Sequence, residues 1–194
     1  MANIRLNWLT VLIPFTHDYN VKYTASEIAR ITNIPQRTVA RILDDVARQS
    51  LIRFILDGKN KKFYFDLNDF RVKLLIKLIE DYKTLTFSMM NKKVYVMIED
   101  LIKQRDIIIF GSYAKNTFNE KSDIDILVIG RKSKKLTKLA KIQPKSINLH
   151  FSTITEFEKL LKQKNTLAIE IMNNHIIFGS IFFDLCWRYY INEI

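Results

Sequence analysis

The residues best placed to do chemistry lie in two short segments. One is Phe110-Gly111-Ser112-Tyr113-Ala114-Lys115-Asn116 and the other is Ser122-Asp123-Ile124-Asp125-Ile126-Leu127-Val128, with ten residues between Ser112 and Asp123. Residues 106–110 are a β-branched apolar run, read as a buried strand that stops at Gly111. A glycine there lets the backbone approach a phosphate closely. The Ser112 hydroxyl and the N–H groups of a helix start behind it can hold phosphate oxygens, and Lys115, one turn on, can neutralise a phosphate. Asp123 and Asp125 stand two apart where a second strand, residues 124–129, begins, so both carboxylates share a face while Ile124 and Ile126 turn to the core. Two adjacent carboxylates repel each other unless a cation sits between them. Magnesium or manganese with a triphosphate fits, because hard oxygen ligands leave part of the shell to phosphate.

These segments need a sheet to align them, and the surrounding pattern supplies one. Residues 94–102 read as a helix. Residues 147–151 alternate apolar and polar, giving a third strand with Ile147, Leu149 and Phe151 inward and Asn148 and His150 on the site face. Thr153-x-x-Glu156 is a capping box opening a helix to Leu161. Helical residues 167–172, a short strand over 175–178 and a helix over 182–190 complete a domain at 91–194.

Ahead of it, residues 3–13 read as a helix packing Leu6, Leu9, Val11 and Ile13. The capping box Thr24-Ala25-Ser26-Glu27 opens a second helix with Ile28 and Ile31 on its apolar face. Thr32-Asn33-Ile34-Pro35 breaks it, and a third helix over 36–48 turns Val39, Ile42, Leu43 and Val46 inward. Two strands, 52–56 and 61–65, flank the hairpin turn Asp57-Gly58-Lys59-Asn60. This order resembles the winged helix-turn-helix over residues 1–66. A long helix over 69–88, capped by Asn68 and apolar at Phe70, Leu74, Leu75, Leu78, Ile79 and Tyr82, connects the domains across 67–90. A connector is its plainer role and a homodimerisation helix the sharper one.

Gly-Ser, ten residues, then Asp-x-Asp resembles the minimal nucleotidyltransferases of the DNA polymerase beta-like superfamily. The resemblance implies an α/β (α+β) fold with a small mixed sheet flanked by helices. It also implies transfer of a nucleoside monophosphate from an NTP, ATP first, to a hydroxyl of a protein or small acceptor. Carried over residue by residue, Gly111, Ser112 and Lys115 bind the nucleotide, and Asp123 and Asp125 hold the metal. Asn116 stands where the family often has glycine. The family usually adds a third carboxylate on the next strand. Here Asn148 stands there as the candidate catalytic side chain, with His150 as a possible base whose plainer role is a polar strand residue. The motif further resembles antitoxins that adenylylate a partner ribonuclease toxin. The alternative is a DNA-binding regulator whose second domain senses a nucleotide without turnover.

The composition is consistent with these readings. The 194 residues are 48% hydrophobic and 12% aromatic, too apolar for a disordered chain. The net charge of +11 favours anionic partners. On the third helix Gln36, Arg37 and Arg41 take the place of base-edge readers, and Lys59, Lys61 and Lys62 on the wing suit phosphates, so DNA is an expected partner. Residues 131–145 hold seven basic side chains and no acid. A solvated face is the plainer reading of that run, and a polyanion-receiving surface the functional one. A single cysteine, Cys186, excludes an internal disulfide framework and any Cys-rich zinc site. With no signal peptide and no apolar run of about 18 residues, the expectation is a cytoplasmic protein without a membrane span.

Overall fold

The computed structural model describes residues 5–192. The chain divides into two compact units, residues 1–83 and 84–194. The first unit opens with α1 (Leu6–Leu12) and a 3-10 turn (Ile13–Thr16). Residues 3 and 4 of the expected helix lie outside the described residues. The inward stripe is Trp8, Leu9, Val11, Leu12 and Phe15, whereas Leu6 is exposed and Ile13 only half-buried. Pro14, in the first turn of the tighter 3-10 segment, ends the α-helical period before Ile13 can join that stripe.

Next come α2 (Ala25–Thr32) and α3 (Gln36–Arg48). At the start of α2 the Glu27 N–H donates to the Thr24 hydroxyl, and the Glu27 carboxylate accepts from the Thr24 N–H at 2.7 Å. The backbone N–H and then the hydroxyl of Thr24 hold this carboxyl below the usual carboxylate range. Asn33, left-handed at φ 55°, ends the helix. Ile28 is fully buried but Ile31 is half-exposed, so the short helix turns a narrower apolar face inward than its sequence offers. Val39, Ile42, Leu43 and Val46 of α3 are all buried.

The hairpin pairs β1 (Arg53–Asp57) with β2 (Asn60–Tyr64), each displaced one residue from its expected bounds. Gly58 takes the positive φ of 58° that a two-residue turn demands. On the far side of β2, Phe63 exchanges both backbone hydrogen bonds with Tyr23, at 2.8 and 3.0 Å.

The long helix α4 (Phe70–Met90) contains the boundary between the units. Asp69, rather than Asn68, caps its first turn: its carboxylate accepts from the Arg71 N–H at 2.9 Å, while the Asn68 side-chain amide is spent on Asp66. Leu75 and Ile79 are buried together with Val72 and Ile76, but Phe70, Leu74 and Leu78 are exposed. The inward stripe is thus rotated from the expected one, because Val72 and Ile76 complete it. Within that stripe Glu80 is buried. It accepts from the Tyr19 hydroxyl at 3.1 Å and pairs with Lys83 at 2.6 Å, and Lys83 also donates to Thr16.

The second unit contains α5 (Lys92–Ile102), β3 (Ile107–Phe110), α6 (Gly111–Ala114), β4 (Ile124–Ile129), α7 (Lys134–Lys141), β5 (Ile147–Ser152), α8 (Ile154–Lys162), α9 (Thr166–Asn173), β6 (Ile176–Phe178) and α10 (Ile181–Tyr190). The four strands form a mixed sheet in the order β5-β4-β3-β6, parallel between β4 and β5 and antiparallel elsewhere. Alternation splits each strand. Ile107, Ile109, Ile124, Ile126, Val128, Ile176 and Phe178 join Phe87, Val94, Ile98, Leu101 and Leu136 in one core. Ile108, Leu127 and Ile177 point the other way and are equally buried, leaving α8 to α10 to cover that face with Phe157, Leu161, Ile171 and Phe182. The Thr153–Glu156 capping box opens α8. Asp106 accepts from the N–H groups of Ser180 and Ile181, both at 2.9 Å, tying the start of α10 to the strand edge. Among the described residues no helix is long and apolar enough to cross a membrane.

The buried pair in the first unit yields a stability prediction. Lys83→Met, which strands the Glu80 carboxylate, should cost about 3 kcal/mol in urea unfolding of the full chain. Glu80→Leu/Lys83→Leu should recover most of that loss, because it removes the desolvated charges together.

Candidate nucleotide site

The register of the central sheet brings the two sequence segments together. Phe110 stands opposite Asp125 on one side, and Asn148 stands opposite Asp125 on the other. The chain turns sharply at Gly111, whose φ is +67°. A Cβ built on Gly111 would come within 2.8 Å of Asp125 Oδ2. The glycine is therefore needed twice over, for its backbone conformation and for the room it leaves the carboxylate.

Asp123 is exposed and Asp125 half-buried. The Asn148 amide nitrogen donates to Asp125 Oδ1 at 3.1 Å and approaches Asp123 Oδ2 at 3.4 Å, so one amide bridges both acids. Ser112 lies in the single turn of α6, and its carbonyl accepts from the Thr117 N–H at 2.9 Å, closing the loop behind the turn. Gly111, Ser112, Asp123, Asp125 and Asn148 thus share one end of the sheet. Lys115 belongs to the same loop, but its ammonium pairs with Glu170 on α9 at 2.6 Å. His150, two residues beyond Asn148, sets its ring edge-on to Phe110 at 5.3 Å between centroids. That packing gives it a structural neighbour in this face of the sheet.

The two acids form a partial shell for a hard cation, whereas the Asn148 nitrogen that donates to them is not a metal ligand. Among the described residues no group of three or more His, Cys, Asp or Glu side chains is arranged to hold a metal. The pair fits an ion that draws the rest of its oxygens from phosphate and water, as magnesium does. Tyr113 is buried and stacks on Phe118 at 4.2 Å, with Lys145 5.7 Å from its ring, in the wall of a cavity of about 590 Å³ that also takes in Met97. Composition gave no signal for this cavity, because its wall is assembled from residues far apart in sequence.

In the first unit Gln36, Arg37 and Arg41 are exposed along α3. Of the hairpin lysines, Lys59 is exposed at the turn, Lys61 pairs with Asp44 at 2.7 Å and Lys62 pairs with Asp57 at 2.6 Å. The basic run forms α7, with Leu136 and Ala140 buried and Lys134, Lys135, Lys138 and Lys141 outward.

Gly111→Ala should abolish the thermal shift given by ATP with magnesium while leaving the chain folded, since the added methyl displaces Asp125. Gly58→Ala has a similar φ but nothing within 4 Å of its Cβ. It should cost only about 1 kcal/mol of backbone strain and leave the nucleotide response intact.

A family profile described as "Nucleotidyltransferase domain" matches residues 93–178, from the start of α5 through β6. No curated protein and no solved structure matches the chain. The matched stretch contains the Gly111 turn, both aspartates and Asn148, and a nucleotidyltransferase domain of the polymerase beta-like superfamily occupies residues 93–178.

Proposed function

We propose that the second unit binds an NTP, ATP first, and transfers its nucleoside monophosphate to a hydroxyl of a protein or small acceptor. The observation that carries this reading is the approach of Asp125 to the Gly111 turn, which joins a phosphate-binding loop to a carboxylate pair. Gly111 leaves backbone room for the triphosphate, and the Ser112 hydroxyl donates to a phosphate oxygen. Lys115 exchanges Glu170 for a second phosphate charge. Asp123 and Asp125 would hold magnesium, which neutralises the charge on the departing pyrophosphate. The acceptor oxygen bonds to the α-phosphorus as the bond to pyrophosphate breaks, and the acceptor proton passes to water. Asn148 holds the two aspartates in register but takes no proton, so base assistance is the weakest element of this site.

The same amide favours a second reading, a nucleotide-sensing regulator with little turnover. In both readings the first unit is a winged helix-turn-helix that binds DNA. Its support is the exposed Gln36, Arg37 and Arg41 on the third helix and the exposed Lys59 on the hairpin. Such a fusion suits an antitoxin that modifies a toxin-like protein and controls its own transcription.

Labelled NTPs with magnesium separate these outcomes. Nucleotide binding and pyrophosphate release, both lost in Asp123→Asn/Asp125→Asn, are expected of the enzyme. Binding without release identifies the sensor, and no binding to any ribonucleotide overturns both. Asn148→Asp should raise the rate of pyrophosphate release about 100-fold by adding a proton-accepting carboxylate. For the first unit, Arg37→Ala/Arg41→Ala should weaken binding to a duplex carrying its site about tenfold or more. Lys59→Ala should lower the slope of log affinity against log salt by about one.

A further inference from the structure

We infer that β1 is a self-pairing edge through which two copies of this chain associate. It pairs on one side with β2, and among the described residues no strand pairs with its other side. All five of its residues are exposed, and three in a row, Phe54, Ile55 and Leu56, are large and apolar. Soluble proteins usually break such an edge with lysine, proline or a bulge. None of these occurs between Arg53 and Asp57.

The direction of the backbone groups follows from the pairing. Asp57 and Asn60 flank a two-residue turn, so they form a hydrogen-bonded pair, and Ile55 and Arg53 repeat that arrangement. Phe54 therefore stands opposite Phe63 in a non-hydrogen-bonded pair. The backbone agrees, because Phe63 gives its N–H and C=O to Tyr23 instead. The N–H and C=O of Phe54 and Leu56 consequently point out from the open edge.

A second β1 laid antiparallel about a two-fold axis at Ile55 meets every one of these groups. Phe54 and Leu56 of each copy exchange backbone hydrogen bonds with Leu56 and Phe54 of the other. On one face Phe54 packs across from Leu56. On the other face Ile55 meets its own copy, and Arg53 stands opposite Asp57 at both ends. The sequence Arg-Phe-Ile-Leu-Asp is thus complementary to its own reverse in charge and in apolar character. Arg53 now pairs with the partly buried Asp66 and Asp57 with Lys62, but Arg53 and Asp57 are themselves exposed and can take a second partner. The product is a four-stranded sheet with an isologous interface. It is small, so a dissociation constant of about 10 µM is expected.

Sedimentation equilibrium of the full chain tests this. The native protein should be a dimer at about 100 µM. Leu56→Pro removes one outward N–H without touching the bonds to β2 and should give a folded monomer. Arg53→Asp and Asp57→Arg should each be monomeric alone, through like charges at both ends, yet an equimolar mixture should form a one-to-one heterodimer. A native monomer at that concentration overturns the proposal. So does a dimer that survives Leu56→Pro, which would implicate another surface such as the exposed stripe of α4, and so does a mixture that stays monomeric.

Discussion

A carboxylate at position 125 fills the space that any side chain at 111 would need. The register in which β3 runs beside β4 sets this approach, because it seats Phe110 opposite Asp125 and so delivers the Gly111 turn beside the carboxylate. The buried alternation on both strands supports the same register from beneath. A slip by one residue would turn Ile124 and Ile126 out of the core and Asp125 into it. Site and core therefore share one alignment, and neither can shift alone.

Asn148 extends this alignment across the parallel pair of β4 and β5. An amide between two carboxylates is a stable arrangement without a cation, because its N–H donors satisfy charges that would otherwise repel. A third carboxylate at that position would leave three anions facing one another. The amide thus favours a preformed site, while removing the proton acceptor that rapid transfer would use. Binding and turnover make opposite demands on one side chain.

Much of this was legible in the sequence. Both capping boxes open helices, because their hydrogen bonds are local and depend on residues three apart. The strands bearing the aspartates and Asn148 appear where β-branched runs and alternation placed them. What the sequence did not reveal was decided by distant partners. The inward stripe of α4 includes Val72 and Ile76 because of what packs against it, and the buried Glu80 is met by Tyr19 from elsewhere in the chain and by Lys83 one turn on along the same helix. Lys61 and Lys62 read as phosphate contacts, yet Lys61 pairs with Asp44 on α3 and Lys62 with Asp57 across its own hairpin. The expected cap at Asn68 went to Asp69, whose carboxylate accepts from the Arg71 N–H, while the Asn68 side chain turns its NH2 to Asp66.

On the proposed function, the ion pair between Lys115 and Glu170 would give phosphate binding at this loop the character of an exchange. An arriving phosphate does not meet a waiting ammonium but competes for one with a resident counter-ion. The net gain is the difference between two charge pairs, which is smaller and less sensitive to bulk salt than either alone. The displaced carboxylate belongs to α9, so each occupancy of the loop leaves an uncompensated negative charge on a helix that covers the sheet. A nucleotide bound as proposed would thus leave an electrostatic record on α9, a helix that contributes none of the proposed site residues.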